Sequence, residues 1–495
     1  MTTIPDSFTG MAQGALRIVR ILRGAAHEAF FVGGCVRDLL RGKVPEDYDI
    51  VTSARPEQVM SIFPRTYPVG VSFGVILVSE SDLLYEVATY RKEAEYEDGR
   101  HPSQVSFATA REDVYRRDFT VNGLLMDPET GEIVDYVGGV ADIERRVIRT
   151  IGNPEERFAE DHLRMLRAIR FAANLGFVID GETLEAIKRH SADIARVSTE
   201  RIREELTRIL TGAGPRQGLE WLQATGLLSQ LLPEIEALRG VSQPPRFHPE
   251  GDVWEHTLTM LALLPQERSG QARKCRREQD NWESIPEPPA ICPHWDGITA
   301  ILPPEQRHKE KHSRLAWAAL LHDVGKPATR TESGTGVHFY GHVKKGAEIA
   351  AAVMRRLKFS KADLDVVLAL IENHMRFMHV QDMRPNTVKK FLRMPDFDLH
   401  LALHRLDCLG SHGLLDNDVF CREKLQELTM EDLHPPRLLT GYDLQELGFQ
   451  PGPLFREILN VIEDAQLNGE ITTVEEARKL AIARFLSGSA ADGHE

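Results

Sequence analysis

The sequence predicts an α+β protein in which a small first unit with a mixed sheet precedes a longer, all-helical remainder. Short apolar runs typical of strands are confined to about the first 150 residues. Beyond Asn153-Pro154 the apolar residues recur at helical spacing instead. At 495 residues the chain is too long for one hydrophobic core, so we expect two to four structural units.

Composition is that of an ordinary globular protein, with 42% hydrophobic and 27% charged residues. No apolar run approaches about 18 residues, which predicts no membrane span, and the N-terminus lacks the order of a secretory signal. Five scattered cysteines favour a reducing cytoplasm over a disulfide framework. The net charge of −14 argues against broad nucleic-acid binding but leaves room for a local basic groove.

The first unit is predicted to begin with a helix over residues 10–25, where Ala, Leu, Ile and Val recur at helical spacing. Apolar runs with strand character follow it. They lie at residues 29–32, 74–78, 83–89 and 133–137. Together these elements predict a mixed α/β unit that ends near residue 150.

Helices are predicted for most of the remaining chain. Residues 154–176 form the first helical stretch, with Gly176 as its stop, and helical patterning continues to about Leu238. A connector, a helical unit and a helical tail are predicted at residues 241–245, 247–413 and 425–485. Residues 265–313 carry seven prolines and little periodicity, so we expect an exposed or disordered insertion there, and a disordered terminus from residue 487.

A glycine pair follows the first predicted strand. Gly33 and Gly34 precede a predicted helix, a position where glycine lets the backbone approach a phosphate and the helix offers free N–H groups. Arg37 could add a charge-assisted contact. By itself the pair is equally consistent with a tight turn.

Acidic residues come next. Asp47 and Asp49 stand in a predicted strand, where side chains two residues apart point to the same face. Two such carboxylates can hold Mg²⁺, which aligns a triphosphate for phosphoryl transfer. Glu86, on a later predicted strand, is a third acidic candidate. An isolated pair of this kind is more often a solvated turn, but its distance from the glycine pair favours the metal.

Two further segments carry polar residues suited to a nucleotide. Arg117, Asp118 and Asn122 could bind phosphate and ribose hydroxyls, although a surface ion-pair cluster would look the same. A helix is predicted over residues 158–167, and Asp161, Arg164 and Arg167 recur on it every three residues, so they share a face. These residues could read a base, or they could form an ordinary Asp–Arg salt bridge. An Asp acceptor beside an Arg donor fits the base edge of cytosine and adenine but not that of uracil or guanine.

These segments carry a resemblance to a known family. Gly-Gly-Cys-Val-Arg-Asp, Asp47-x-Asp49, Arg-Arg-Asp-Phe-Thr-Val-Asn and Glu160-Asp-x-x-Arg164 stand in the order found in class II tRNA nucleotidyltransferases and bacterial poly(A) polymerases. The resemblance covers about residues 22–240.

The resemblance implies a role for each motif. The two aspartates bind catalytic Mg²⁺, Arg117 and Asp118 contact the ribose, and Asp161 and Arg164 read the base. Residues 91–116 resemble the family's flexible loop, which helps to switch from C to A addition. The implied substrates are CTP, ATP and the tRNA 3′ end.

A second site is predicted in the helical unit, where histidines and aspartates recur beside apolar helix positions. Imidazole and carboxylate together suit transition or hard divalent metals. A lone histidine near a helix is usually structural, whereas an adjacent His-Asp pair is less common. The residues are His256, His322, Asp323, His342, His374 and Asp407.

These six residues resemble the ligands of two-metal members of the HD phosphohydrolase superfamily. This resemblance implies a site for a divalent transition metal or Mg²⁺. The resemblance to tRNA nucleotidyltransferases that carry such a domain implies a phosphodiesterase or phosphatase activity, on an end such as a 2′,3′-cyclic phosphate. The insertion between His256 and His322 is a departure that could displace His256. Cys275, Cys292 and His294, inside the insertion, match no standard zinc spacing.

The resemblances together predict a chain of four parts: a nucleotidyltransferase head, a helical neck with the base-selecting helix, an HD domain and a tail. Their predicted bounds are 22–150, 151–240, 247–413 and 425–485. Segments such as Leu439-Thr-Gly-Tyr-Asp-Leu in the tail resemble the C-terminal region of tRNA nucleotidyltransferases and favour the tRNA reading.

CCA addition to tRNA is the leading hypothesis, and several alternatives stay open. A poly(A) polymerase, a CC-only enzyme and an A-only enzyme share the head motifs. A metal phosphohydrolase with an RNA-recognising head, and a non-catalytic RNA-binding protein, belong to different classes. The sequence does not determine the oligomeric state, the metal and substrate of the HD site, or the role of the insertion.

Overall fold

The computed structural model describes residues 10–70, 74–93, 105–269, 304–334 and 336–486. The chain divides into two compact units. The first comprises Met1–Arg239 and Ala352–Phe359, and the second comprises Gly240–Ala351 and Ser360–Glu495. Among the described residues, no helix is long and apolar enough to cross a membrane.

The described strands of the first unit all lie between Ala29 and Ile179. They are β1 (Ala29–Val32), β2 (Ile50–Thr52), β3 (Thr66–Gly70), β4 (Val75–Glu80), β5 (Leu83–Thr89), β6 (Arg91–Glu93), β7 (Val105–Phe107), β8 (Leu124–Met126), β9 (Ile133–Asp135), β10 (Val147–Ile148) and β11 (Val178–Ile179). Seven of them form one sheet in the order β3-β4-β5-β2-β1-β8-β9. Only β2 and β5 pair parallel in that sheet, which makes it mixed as predicted.

The helices of the first unit cover the sheet and then continue as a helical array. They are α1 (Gly10–Gly24), α2 (Gly34–Leu40), α3 (Pro56–Ile62), α4 (Ala110–Tyr115), α5 (Gly139–Arg145), α6 (Pro154–Glu160), α7 (Leu163–Leu175), α8 (Gly181–His190), α9 (Thr199–Leu210), α10 (Pro215–Ala224), α11 (Leu227–Leu231) and α12 (Pro233–Glu236). Helix α1 buries one stripe that includes Ala15, Ile18 and Leu22, the spacing expected of an amphipathic helix.

Two local predictions for this unit are wrong. Asp47 and Asp49 do not lie within a strand, because β2 begins at Ile50. The helix predicted through Asp161 is broken, since α6 ends at Glu160 and Asp161 has extended backbone angles of φ −147° and ψ 103°. Asp161 therefore does not share a helix face with Arg164 and Arg167. The predicted stop at Gly176 is confirmed, because this glycine ends α7 with a φ of 67°.

In its described residues the second unit is helical apart from one hairpin. Its elements, with α16 running on into the first unit, are α13 (Val253–Ser269), α14 (Pro304–Leu321), α15 (Lys326–Thr329), β12 (Thr331–Ser333), β13 (Gly336–His338), α16 (His342–Arg356), α17 (Lys361–Asn373), α18 (Pro385–Leu392), α19 (Phe397–Gly410), α20 (Asp416–Glu427), α21 (Met430–Leu433), α22 (Gly441–Glu446), α23 (Pro453–Leu467) and α24 (Val474–Phe485). A 3-10 helix covers His374–Asp382.

The predicted insertion over residues 265–313 is too long. Helix α13 continues through Pro265 to Ser269, and α14 begins at Pro304. The charged residues and prolines of this segment obscured the helical pattern at the end of α13 and at the start of α14. Residues 270–303, with Cys275, Cys292 and His294, lie outside the described residues, as do Asp98 in the predicted flexible loop and the terminus from residue 487.

Two separate apolar clusters lie in the C-terminal half of the second unit. Phe377, Phe391 and Phe397 form the centre of a cluster beside the 3-10 helix. Leu444, Ile458 and Ala477 belong to another cluster, which joins α22, α23 and α24. The predicted helical tail therefore has a core of its own.

Candidate active sites

The loop before β2 presents two carboxylates on one side. Tyr48 is 3% exposed and packs edge-on against Phe31 at 5.3 Å, whereas Asp47 is exposed and Asp49 is half-buried. The carbonyl of Asp49 accepts a hydrogen bond from the Val32 N–H at 3.0 Å, which holds this loop beside β1. The alternation predicted for a strand is thus present although the strand itself starts one residue later.

Glu86 lies level with these aspartates. Strands β2 and β5 run parallel with Ile50 opposite Val87, so the same register brings Glu86 beside Asp49. Burial and the negative charges of Asp47 and Glu86 together raise the pKa of Asp49 to about 6, against the opposing charge of Arg117. Three acidic side chains that repel one another in this way can take up a divalent cation.

Gly33 begins α2 with a left-handed φ of 75°. A Cβ on this residue would lie 3.4 Å from Nη1 of Arg117. Both observations explain why glycine stands at this turn, because a side chain would be strained and would crowd the arginine. Gly34 is the first residue of the helix that follows.

Four of the predicted nucleotide-binding residues form one chain of hydrogen bonds. Arg37 donates to Asn122 Oδ1 at 2.7 Å, and Asn122 donates to Asp118 Oδ1 at 3.2 Å. Arg167 donates to Asp118 Oδ2 at 2.8 and 2.6 Å. Helix α7 is thereby joined to α2 by side chains that sequence spacing alone could not bring together.

Asp118 is the centre of this chain. Burial would raise the pKa of its carboxyl, but the charge of Arg167 and the hydrogen bonds from Arg167 and Asn122 hold the pKa at about 2. The ionised carboxylate also accepts a hydrogen bond from the Phe119 N–H at 2.8 Å. Asp118 is therefore a fixed, charged anchor.

Arg117 has a partner that the sequence did not reveal. Asp113, on α4, is buried and accepts hydrogen bonds from Arg117 at 3.1 Å and from Arg116 at 2.8 Å. The spacings of three and four residues on one helical turn were the available signal. The guanidinium of Arg117 is thus oriented toward Gly33 before any ligand is bound.

The predicted base-reading pair is held by two other residues. Asp161 Oδ2 accepts a hydrogen bond from Arg201 on α9 at 2.8 Å, and its Oδ1 accepts from the Leu163 N–H at 3.1 Å. Arg164 is buried and pairs with Glu160. Asp161 and Arg164 therefore stand beside the break between α6 and α7 with separate partners, and Arg201 is a contact that sequence reasoning missed.

In the second unit the six predicted metal ligands come together. His256 Nε2 lies 3.2 Å from Asp407 Oδ1, and the ring centroids of His256 and His322 are 5.4 Å apart. His342 Nε2 lies 3.8 Å from Asp323 Oδ1, and the rings of His342 and His374 are 5.6 Å apart. The residues 270–303 that separate His256 from His322 therefore do not displace His256.

The possible ligand atoms of these six residues form two groups, each small enough to hold one metal ion. The carboxylate of Asp323 lies between His322 and His342. Within each group the possible ligand atoms lie within 4.8 Å of one another. The groups are His256, His322 and Asp407, and Asp323, His342 and His374.

The ring nitrogens show how these histidines fit a metal. The Nδ1 atoms of His322, His342 and His374 donate to backbone carbonyls at 3.0, 2.9 and 2.6 Å. The buried Nε2 atoms of His256, His322 and His342 face carboxylate oxygens of Asp407 and Asp323 at 3.2 to 3.8 Å, without hydrogen bonds of good geometry to any described residue. A neutral imidazole with its Nδ1–H engaged offers the Nε2 lone pair to a cation, so the residues fit a divalent metal.

Electrostatics at this site follow from burial and charge. Burial lowers the pKa of His374 to about 4 and keeps its ring neutral. Burial also acts on His256, but Asp407 and Glu250 outweigh it and raise the pKa to about 9. His256 therefore carries the positive charge that balances the carboxylates when no metal ion is present.

Three polar residues around this site were missed from the sequence. Glu250 accepts hydrogen bonds from His256 at 2.7 Å and from His248 at 2.9 Å. Lys326 is buried and its Nζ lies 2.6 Å from Asp323 Oδ2. Only the position of Lys326 three residues after Asp323 could have indicated its contact.

Comparison with known families matches three segments of the chain. Residues 29–149 match the poly A polymerase head domain, residues 176–238 match a segment described as "Probable RNA and SrmB- binding site of polymerase A", and residues 295–399 match the HD domain. The matched HD range contains neither His256 nor Asp407, both of which the fold brings to the site. The fold and its sites therefore define a nucleotidyltransferase head followed by an HD domain.

Known proteins similar in sequence to this chain show to which family of nucleotidyltransferases it belongs. A CCA-adding enzyme of Streptococcus pneumoniae is 32% identical over 478 residues, which cover 96% of this chain and 97% of the relative. One of Anoxybacillus flavithermus is 46% identical over 222 residues, which cover 45% of this chain and 55% of the relative. The chain belongs to the family of CCA-adding enzymes and is a nucleotidyltransferase.

Solved structures agree with this assignment. The crystal structure of the Bacillus stearothermophilus CCA-adding enzyme in complex with CTP has a TM-score of 0.67 and 27% identity, and the match covers 98% of this chain and 100% of that one. The α+β class with a mixed-sheet head and helical remainder is thereby confirmed.

Proposed function

We propose that this chain adds C and A nucleotides from CTP and ATP to the tRNA 3′ end without a nucleic-acid template. The 32% identity with the S. pneumoniae CCA-adding enzyme over 96% of the chain carries this proposal. Two features of the first unit support it: the three carboxylates and the hydrogen-bond chain from Arg37 to Arg167. The CTP complex of the B. stearothermophilus relative supports CTP as a substrate.

Asp47 and Asp49 are the proposed ligands of Mg²⁺, and Glu86 adds a third negative charge beside them. Mg²⁺ held by these carboxylates would supply charge neutralisation on the triphosphate. In the proposed reaction the RNA 3′ hydroxyl attacks the α-phosphorus and pyrophosphate is the leaving group. The backbone contact between Asp49 and Val32 keeps the carboxylates fixed relative to the sheet.

The nucleotide is proposed to lie between the glycine turn and α7. Gly33 and Gly34 leave room for phosphates, while Arg37 and Arg117 supply positive charge. Asp118 and Asn122 face the ribose, and Arg167 keeps Asp118 ionised and in place. Each of these groups is fixed by a neighbour, which favours binding because little side-chain freedom is lost.

Asp161 and Arg164 are the proposed readers of the base. An acceptor and a donor side by side match the amino group and ring nitrogen of cytosine and adenine. Arg201 and Glu160 hold the two side chains in the structure. We infer that these partners fix the distance between the acceptor and the donor, so that a pyrimidine or purine edge of the right pattern fits both.

The domain roles follow from the same proposal. We assign residues 22–150 to the head, 151–240 to the neck that contacts RNA, 247–413 to the HD domain and 425–485 to the tail. Three described cysteines, Cys35, Cys408 and Cys421, are free and buried, which supports a reducing compartment such as the cytoplasm.

An extension assay tests the leading proposal. Transcripts of tRNA that end before CC, after CC and after CCA are each incubated with CTP, ATP or both. Growth that stops at CCA is expected. Addition of CC alone or of one A would assign a partial activity, a long A tract would assign a poly(A) polymerase, and no extension of any transcript would contradict the proposal.

A second activity is proposed for the HD site because the Nε2 atoms of its histidines converge on two carboxylates, in groups of the size that holds a metal ion. We infer a phosphodiesterase or phosphatase that acts on RNA ends such as a 2′,3′-cyclic phosphate. These residues would hold a divalent metal, which would supply an activated water for attack on the phosphoester. His322 and Asp407 on one side and His342 and His374 on the other define the pocket for the ions. Hydrolysis of 2′,3′-cyclic AMP that is lost in His322→Ala is the expected result, and no hydrolysis with any divalent metal would contradict it.

A further inference from the structure

One of the four histidines at the HD site has a different partner on its inner ring nitrogen. His322, His342 and His374 donate from Nδ1 to the carbonyls of Ala319, Phe339 and Ile371. His256 donates from Nδ1 to a carboxylate oxygen, Oε1 of Glu250, at 2.7 Å. Of these four histidines, His256 is therefore the one whose Nδ1 donates to a carboxylate and not to a backbone carbonyl.

We propose that Glu250 is a positioning residue of the HD site, which orients His256 and strengthens its Nε2 as a metal ligand. The inference rests on the proposed metal site and deepens it. A carboxylate that accepts the Nδ1–H fixes the tautomer and the rotation of the ring, and its charge makes the opposite nitrogen a stronger donor.

The position of His256 explains why such a partner is needed. Its ring is fully buried, with Nε2 directed toward Asp407 at 3.2 Å. A half-turn of the ring about the Cβ–Cγ bond would exchange Nδ1 with Cδ2 and Nε2 with Cε1, and so remove Nε2 from this place. The hydrogen bond to Glu250 opposes that rotation, because the swapped ring would place a C–H group against the carboxylate.

Glu250 is itself held in place. The same oxygen, Oε1, accepts a second hydrogen bond from Nδ1 of His248 at 2.9 Å, and the rings of His248 and His256 meet edge-on at 5.1 Å. The Glu250 side chain is only 12% exposed. A buried carboxylate with two imidazole donors has little freedom, so it can transmit its orientation to His256.

Elsewhere in the described chain, Glu155 forms a similar contact that offers a matched control. Glu155 accepts a hydrogen bond from His190 Nε2, but its side chain is 40% exposed and no metal ligand is involved. Glu155→Gln therefore removes a carboxylate–imidazole pair of the same kind without touching the HD site.

The test is a Co²⁺ titration of the full chain followed by visible absorption. Asp47→Ala and Asp49→Ala are included in every variant so that the head carboxylates do not contribute. Glu250→Gln keeps the shape of the side chain but removes its charge, and we expect the Kd for Co²⁺ to rise about 10- to 100-fold, with a shifted absorption band and unchanged stoichiometry. Glu155→Gln should leave the Kd and the band unchanged.

A second variant covers the case in which Glu250→Gln does not fold. Glu250→Asp retains the charge but draws the carboxylate away from His256, so weaker Co²⁺ binding is again expected. Urea unfolding of the metal-free proteins shows whether each variant is folded.

The outcomes separate this proposal from the one on which it rests. Unchanged affinity and spectrum in Glu250→Gln would overturn the positioning role while leaving the metal site intact. Loss of one full equivalent of Co²⁺ would make Glu250 a metal ligand and also overturn it. Absence of Co²⁺ binding in the parent protein would overturn the metal site and the role of Glu250 together.

Discussion

Arg167 and Asp118 form a two-pronged ion pair, in which Nε and Nη2 of the arginine donate to one carboxylate oxygen at 2.8 and 2.6 Å. Arg167 lies on α7 and Asp118 on the loop after α4. The pair therefore connects the helix next to the proposed base readers with the loop next to the proposed ribose site. Through Asn122 and Arg37 the connection extends to the glycine turn.

The first prediction concerns this ion pair. Asp118→Asn removes the charge that Arg167 faces, so we expect the KM for both CTP and ATP to rise by about tenfold and the free energy of unfolding at pH 7 to fall by about 2 kcal/mol. Steady-state kinetics and urea unfolding measure the two effects. The matched control is Asp127→Asn, which removes the more exposed partner of Arg23.

The pH dependence of that stability has a defined sign. The pKa of Asp118 is about 2 in the folded protein, whereas the ordinary value of an aspartate is 3.8. The ionised carboxylate therefore stabilises the fold above about pH 4, and this stabilisation is lost as the pH falls toward 2. The difference in stability between the wild type and Asp118→Asn should shrink over that interval. A difference that is constant with pH would contradict the assignment.

The second prediction concerns Mg²⁺ at the head. Burial and the charges of Asp47 and Glu86 raise the pKa of Asp49 to about 6, and Mg²⁺ binds the ionised carboxylate. Its affinity should therefore fall by about tenfold for each unit of pH below 6. Isothermal titration at pH 5, 6 and 7 measures this. Asp49→Asn should bind weakly at every pH, and a pH-independent affinity in the wild type would contradict the prediction.

The third prediction concerns choice of base. Asp161→Asn replaces an acceptor by a group that can also donate, so UTP and GTP are no longer rejected by the carboxylate. We expect the preference for CTP over UTP to fall by about tenfold, with the Mg²⁺ affinity unchanged. Single-nucleotide incorporation with each of the four NTPs measures the preference. An unchanged preference would show that Asp161 does not read the base.

The fourth prediction concerns metal removal. The head site is built from carboxylates and the HD site largely from imidazoles, which favour transition metals. After the protein is stripped with a chelator, Mg²⁺ should restore nucleotide addition, whereas hydrolysis should return with Mn²⁺, Co²⁺ or Ni²⁺. Recovery of both activities with Mg²⁺ to the same extent would contradict this assignment.

Sequence spacing predicted those parts of the fold in which neighbours along the chain decide the outcome. The apolar stripe of α1 and the runs that became β1 and β5 follow from periodicity over a few residues. The break at Asp161 was not predicted because the residues around it have good helical propensity. It coincides with contacts from other elements, since Arg201 on α9 pairs with Asp161.

At the two proposed sites, sequence motifs predicted which residues take part better than they predicted the side chains that hold those residues in place. The six residues of the HD site were found from histidines and aspartates scattered between positions 256 and 407, and the fold brings them into two adjacent groups. Glu250 was not found, because a lone glutamate carries no local signal of the histidine that it will meet, and only tertiary structure supplies that pair. Asp113 was missed although its spacing of three and four residues from Arg116 and Arg117 was a local signal.

The central claim is that the head, and not the HD site, carries out nucleotide addition. Comparison of one variant at each site tests this claim most directly. Asp49→Ala and His322→Ala are compared in the extension of a tRNA transcript lacking CCA, with CTP, ATP and Mg²⁺. We expect Asp49→Ala to lose nucleotide addition by at least about a thousandfold, because the proposed metal ligand is removed, while His322→Ala retains it. Full CCA addition by Asp49→Ala, or its loss only in His322→Ala, would contradict the head as the site of synthesis and favour a phosphohydrolase with an RNA-recognising head.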